Sequence, residues 1–196
     1  AWVNLNRQAA AVAGNAPPGT PIERLGENYV TKVFDQARDA GFNIVRVFGH
    51  GEETSFMLQK SPGQYDERIF KGLDCINAVA GSRGVRVLFV PINMWLSPHV
   101  GDGFPAYVEW GGFPVSESDK FWTDDRIRSM VRNHFTTLLN RKNTFSGVAW
   151  KDDPAIFGFN LFNEPRCPFG QDKAGCPAKV TAWVVEMSEH IKVGRS

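Results

Sequence analysis

Two hydrophobic patterns alternate along this chain. Residues 43–48, 85–91 and 155–162 are nearly continuous apolar runs, as expected of parallel strands covered on both faces, and residues 2–5 alternate like a strand already in progress. Between the runs, apolar residues recur at helical spacing: Val30, Val33, Phe34 and Ala37; Ile69, Leu73, Ile76 and Ala80; Ile127, Met130, Val131, His134 and Leu138; Val180, Trp183, Val184, Met187 and Ile191. Thr123-Asp124-Asp125 reads as a helix start, with acidic groups at the positive end of the dipole. Gly41 and Gly84 each follow a helix and precede a strand, where a left-handed cap is useful. The order β-α-β-α-β-α-β-α predicts an α/β fold with a parallel sheet and right-handed crossovers. The loops that follow strands, at 7–26, 49–65, 92–122 and 163–177, are long, whereas those that follow helices are mostly short. That asymmetry is the habit of barrel enzymes, which build their sites on the strand-exit face. No G-x-G-x-x-G or P-loop follows any strand, which removes the main support for a nucleotide fold.

Composition narrows the classes. With 22 Lys+Arg against 21 Asp+Glu, the chain lacks the basic excess of a nucleic-acid binder. No apolar run reaches membrane-spanning length. Aromatic residues make up 12%, too many for a disordered chain. Residues 1–15 lack the charged and then apolar layout of a signal peptide, and both ends read as cut through ongoing elements. Cys167 and Cys176 flank a short Gly/Pro/Asp-containing loop and are placed to pair in an oxidising compartment; Cys75 falls in a helical pattern, as a buried free thiol would.

The chemistry-bearing signals sit at strand ends. Asn163-Glu164-Pro165 closes the last apolar run. A carboxyl at the mouth of a buried strand is expected to be partly desolvated, which raises its pKa and suits a general acid. Asn163 can hydrogen-bond a hydroxyl without competing for the proton; the competing structural reading is a helix-entry cap. Arg46, inside an apolar run, is expected to meet an anion, either a carboxylate of the site or the acid of a structural ion pair. Trp95, Tyr107 and Trp110, with Asn93 just before, lie in the longest loop, where aromatic faces stack on sugars, bases or peptides or simply anchor the loop. Trp183, on a helical stripe, reads as core; Trp150 fits either role. His50 follows the Arg46 run and could reach the site, whereas His134 reads as packing on an apolar helix face. His50, His99 and His134 lack metal-ligand spacing, so no metal is expected, and no G-x-S-x-G is present.

These segments together resemble glycoside hydrolase family 5, and within it the plant-type endo-β-1,4-mannanases. The resemblance is carried by Leu58-Gln59-Lys60-Ser61-Pro62-Gly63-Gln64-Tyr65, Phe70-Lys71-Gly72-Leu73-Asp74, Asn93-Met94-Trp95 and Tyr107-Val108-Glu109-Trp110. It continues through Arg141-Lys142-Asn143-Thr144-Phe145-Ser146-Gly147-Val148-Ala149-Trp150-Lys151-Asp152-Asp153-Pro154, Asn163-Glu164-Pro165-Arg166-Cys167 and Trp183-Val184-Val185-Glu186-Met187-Ser188. It runs from about Phe34 onward. Met94 replaces the second Asn of the plant-type pattern, and residues 49–53 also depart from it.

The resemblance implies a (β/α)8 TIM barrel of which the first four βα units are present, residues 1–196 forming a partial catalytic domain, the N-terminal half. It implies a retaining double displacement by two carboxyls about 5–5.5 Å apart. By motif, Glu164 matches the acid/base, Asn163 the residue that contacts the sugar 2-hydroxyl, and Arg46 the arginine that supports the nucleophile. Asn93, Trp95, Trp110 and His50 match positions lining the substrate groove. The nucleophile, a glutamate after the seventh strand, has no counterpart, and Glu186 and Glu189 lie on a helix. The expected activity of the parent enzyme is hydrolysis of internal β-1,4-mannosidic bonds. Its partner is β-mannan, with no cofactor, nucleic acid or membrane, and it is expected to be a secreted monomer. The alternatives are another family 5 activity, such as a β-glucanase or a mannan transglycosylase, or a non-catalytic sugar-binding fragment.

Overall fold

In chain order the elements are α1 (Val3–Ala13), α2 (Tyr29–Asp39), β1 (Ile44–Phe48), β2 (Gln59–Ser61), β3 (Gln64–Tyr65) and α3 (Glu67–Ser82). Then come β4 (Arg86–Val90), α4 (Phe104–Trp110), α5 (Lys120–Thr123), α6 (Asp125–Asn140), β5 (Ile156–Phe159) and α7 (Cys176–Arg195). This computed structural model describes residues 3–51, 56–94, 102–167 and 174–195. The chain divides into two units, one of Ala1–Gly49, Asp66–Val90 and Asn140–Asn160, the other of His50–Tyr65, Pro91–Leu139 and Leu161–Ser196.

The first unit holds the parallel sheet, in the order β1-β4-β5. Three of the predicted strands are therefore present, with the last ending at Phe159 rather than Phe162. Residues 3–5 of the predicted opening strand are instead the start of α1, and Trp2 lies outside the described residues. Four alternating residues fit either structure, and the alanine-rich run behind them decides, because alanine is the best helix former. Leu5, Ala9 and Ala13 then share one buried face of α1. Asn6 donates its side-chain amide to the carbonyl of Phe48 and so fixes α1 at the exit of β1.

α1 packs closely on α3, and α3 lies against β4. Gly72 permits the approach: a Cβ there would stand 2.6 Å from the Ala10 backbone nitrogen. Because α3 has neighbours on several sides, its buried surface is wider than one stripe and takes in Phe70, Asp74, Cys75, Asn77 and Val79. The sheet is less covered than its composition predicts. Val47, Val87, Phe89 and Ile156 are buried, but in the row Arg46–Leu88–Gly158 the arginine is exposed and its neighbours half-buried.

The Arg141–Trp150 segment, which carried much of the family resemblance, wraps around Asp74. This carboxylate, fully buried, accepts from Arg141 Nη2 at 2.7 Å, Thr144 Oγ1 at 2.7 Å, the Thr144 backbone N–H at 3.0 Å and Trp150 Nε1 at 2.8 Å. Asn143 donates to the Asp74 carbonyl and accepts from the N–H groups of Phe145 and Ser146. The Trp150 ring meets Phe89 edge-on at 4.9 Å, so Trp150 is core. Cys75 is a buried free thiol, pushed up to about 12 by burial.

The second unit contains the β2–β3 hairpin and α4 to α7. Its core is aromatic: Trp122 lies 5.1 Å from Phe162 and 5.3 Å from Trp183, and Phe104 lies 4.9 Å from Phe121. Such pairs contribute about 0.5–1.5 kcal/mol each beyond area burial. Asp124 rather than Thr123 caps α6, accepting from the N–H groups of Arg126 and Ile127. α7 buries the narrow stripe Trp183, Met187 and Ile191, leaving Val184 at the exposed margin. Glu186 pairs with Arg128 and Arg132 of α6, a structural role. Cys167 and Cys176 are disulfide-bonded, tying the segment after Glu164 to the start of α7. Among the described residues no helix is long and apolar enough to cross a membrane, and no cluster of three His, Cys, Asp or Glu could hold a metal.

Candidate active site

In the second unit, strand-like pairing brings two asparagines side by side. Asn93 and Asn163 form an isolated parallel bridge, with the Asn163 N–H donating to the Ile92 carbonyl at 2.9 Å and the Met94 N–H to the Asn163 carbonyl at 3.3 Å. The side chains join as well, Asn163 Nδ2 donating to Asn93 Oδ1 at 2.8 Å. The Asn93 carbonyl in turn accepts from the Phe104 N–H at the start of α4. Both amides are thus oriented by backbone as well as side-chain contacts, which is what positioning a hydroxyl group requires.

Glu164 follows at once with φ +54°, and among the described residues it is the one non-glycine with positive φ. A left-handed backbone costs an L-residue about 1–2 kcal/mol, and such strain gathers at functional sites. Pro165 has no N–H to carry the pairing further. The desolvation expected at this strand mouth is not found. The Glu164 side chain is 50% exposed, and its Oε2 accepts from Arg166 Nη2 at 2.7 Å. The turn that ends the pairing also lifts the carboxylate clear of the apolar run.

Arg46 belongs to the first unit, and its expected burial is likewise corrected. It is exposed, donating Nε and Nη2 to Asn160 Oδ1 at 3.2 and 2.6 Å, with its guanidinium 4.8 Å from the Phe48 ring. Its row ends in Gly158, where a Cβ would meet nothing within 4 Å.

The aromatic candidates separate. Trp110 is half-buried at the end of α4, with its ring edge-on to Tyr107 at 5.0 Å. Tyr107 is fully buried and is no stacking platform: its hydroxyl donates to Gln59 Oε1 at 2.7 Å. Trp95 and His99 lie outside the described residues. His50 is buried, and it opens the first segment of the second unit. His134 is the packing residue its helical position predicts, stacked on Tyr65 and hydrogen-bonded to its hydroxyl at 3.0 Å. Burial pulls His134 down to about 3, so it stays neutral.

Sequence reasoning missed Asp102. Fully enclosed, it accepts from the backbone N–H groups of Gly51 and Gln59, both at 2.6 Å. Burial pushes it up to about 7 against the pull of those N–H groups. The only hint in the sequence is Gly101-Asp102-Gly103, which reads as a turn.

A family model described as GH family 5 beta-mannosidase-like matches residues 14–195. The chain belongs to glycoside hydrolase family 5. It is 39% identical over 167 residues to putative mannan endo-1,4-beta-mannosidase 4 of Arabidopsis thaliana, a match covering 83% of this chain and 39% of that protein. Against mannan endo-1,4-beta-mannosidase 1 of the same plant it is 36% identical, covering 85% of this chain and 38% of the relative. The chain therefore spans about four-tenths of the length of these relatives. Among solved structures, the hyperthermostable endo-1,4-beta-D-mannanase of Thermotoga petrophila superposes with a TM-score of 0.73 at 28% identity, over 84% of this chain and 48% of that one. A family 5 mannosidase of Rhizomucor miehei superposes with a TM-score of 0.71 at 22% identity, covering 99% of this chain and 47% of the other, which supports the fold. These neighbours are TIM-barrel enzymes, and the α/β fold with its parallel strands corresponds to part of that barrel.

Proposed function

We propose that this chain is the acid/base-bearing part of a secreted, retaining endo-β-1,4-mannanase. The observation that carries the reading is the joined Asn93–Asn163 pair leading directly into a strained Glu164, in a chain that is 39% identical to a plant protein named as a mannan endo-1,4-beta-mannosidase. In the proposed reaction Glu164 protonates the leaving glycosidic oxygen while a second carboxylate, not assigned among these residues, attacks the anomeric carbon. Glu164 then deprotonates the water that releases the product. Asn163 holds the sugar 2-hydroxyl, and Asn93, Trp110 and His50 line the groove. Arg46 supports the nucleophile. Arg166 keeps the Glu164 carboxylate in one orientation until substrate displaces it. The Cys167–Cys176 bond fits an oxidising compartment, as secretion requires.

The decisive test is Glu164→Gln in the complete enzyme. Loss of a general acid costs about 10²–10⁴-fold in turnover, read as reducing ends released from mannan. Near-normal turnover by the variant would sink the assignment. Faster release from carboxymethylcellulose than from mannan by the unaltered enzyme would favour the glucanase alternative.

A further inference from the structure

We propose that Asp102 is a positioning residue for Trp110: together with Gln59 it staples α4 to the β2–β3 hairpin, so that one enclosed carboxylate sets where the indole stands. Asp102 stands two residues before α4 begins, and Trp110 is the last residue of that helix. The helix is held to Gln59 at two points. At its start, Asp102 Oδ2 accepts from the Gln59 backbone N–H; in its middle, the Tyr107 hydroxyl donates to Gln59 Oε1. The second oxygen of Asp102 takes the N–H of Gly51, so the carboxylate also fixes the residues just after β1. Trp110 leans on this arrangement through its edge contact with Tyr107. A helix of only seven residues has little stability of its own, so its position depends on these attachments.

The state of the carboxylate matters because two N–H donors suit an anion, whereas a protonated acid gives up acceptor strength on one oxygen. Burial pushes Asp102 up to about 7, so that change falls near neutral pH. The titratable groups around it do not share the range. Tyr65 is raised to about 12, Tyr107 is well above its ordinary value, and His134, against Tyr65, is near 3. Along the chain, the titratable neighbours of its two donors are His50 and Glu52 on either side of Gly51, and Lys60 directly after Gln59.

The functional weight of this inference rests on the reading of Trp110 as part of a sugar groove, and the experiment keeps the two apart. The 196-residue chain is labelled with 5-fluorotryptophan, and the Trp110 fluorine resonance is assigned by its loss in Trp110→Phe. Titrated from pH 5 to 8.5, that resonance is expected to shift with a midpoint near 7, while the Trp183 and Trp150 resonances stay in place. In Asp102→Asn the shift is lost. Should that variant fail to fold, Tyr107→Phe, which keeps the ring but removes the hydroxyl, is expected to reduce the shift by at least half. A Trp110 resonance indifferent to pH, or a titration surviving unchanged in either variant, overturns the proposal. Mannohexaose is added last. If it moves Trp110 at pH 8 and binds several-fold more weakly in Asp102→Asn, the positioning reaches the substrate. If it leaves Trp110 unmoved while the titration behaves as expected, the staple stands and the groove reading falls.

Discussion

Asp74 and Asp102 are both fully enclosed aspartates, one in each unit, yet they are held in different ways. Asp74 faces a guanidinium, an indole N–H, a hydroxyl and a backbone N–H, so its charge is neutralised and its lone pairs are filled. Asp102 has backbone N–H groups as its hydrogen-bond donors, with no cation among them, and burial raises its pKa. In the first arrangement a cation accompanies the carboxylate into the core. The second sits near the balance point between its two protonation states. A buried carboxylate therefore acts as a fixed joint or as an adjustable one according to whether a countercharge is buried with it.

The strongest way to break this contrast is Asp74→Ala. It leaves the Trp150 N–H without its acceptor and Arg141 with Glu67 as its one remaining carboxylate, and should cost about 3–5 kcal/mol in urea or thermal unfolding. A loss below about 1 kcal/mol would mean that the wrapped loop is held by something else.

The pH dependence is the next largest effect. His134 is held near 3 against an ordinary 6.5, so the unfolded chain takes up a proton that the fold refuses. Its contribution is present above about pH 6.5 and fades as pH falls. Asp102 runs the other way: with its pKa raised to about 7, the fold binds a proton first, and stability is gained as pH falls from about 7 toward 4. The two offset each other between about pH 4 and 6.5. In Asp102→Asn that offset is removed, so stability measured against the unaltered protein should fall by roughly 1 kcal/mol per pH unit on acidification through that window. Parallel curves for the two proteins would remove the case for an adjustable Asp102.

The smallest effect is expected at a carboxylate that is paired but only partly buried. Glu186, joined to Arg128 and Arg132 between α6 and α7, should cost about 0.2–1 kcal/mol on change to Gln, with most of that difference lost in high salt. A larger loss that salt leaves unchanged would place it with Asp74 instead.

What was legible in the sequence follows from how local each cause is. The four helices and three parallel strands were readable because periodicity is a property of a few neighbouring residues. Residues 3–5 misled because alternation over so short a run fits a helix as well as a strand, and the evidence for α1 lay in the alanines that follow. Asn93, Asn163 and Glu164 were readable as candidates from their places at the ends of apolar runs, but the hydrogen bond between the two amides was not. Arg46 and Glu164 were expected to be desolvated by their apolar neighbours in sequence. Burial is decided by what lies across the face, and both side chains are exposed in this chain. Asp102 left almost no trace because its partners are backbone N–H groups, which every residue but proline carries. The Arg141–Trp150 motif shows the reverse case: it identifies the family well, yet its visible work is to build a loop around Asp74.

The left-handed backbone at Glu164 sets two kinds of selection against each other. Glycine adopts that conformation without steric penalty, so a search for more stable variants scored only by melting temperature would favour Glu164→Gly. Such a search would discard the very side chain proposed to carry the chemistry. A library built for thermal tolerance should therefore hold position 164 constant, and any natural relative with glycine there would be expected to keep the scaffold and forgo hydrolysis.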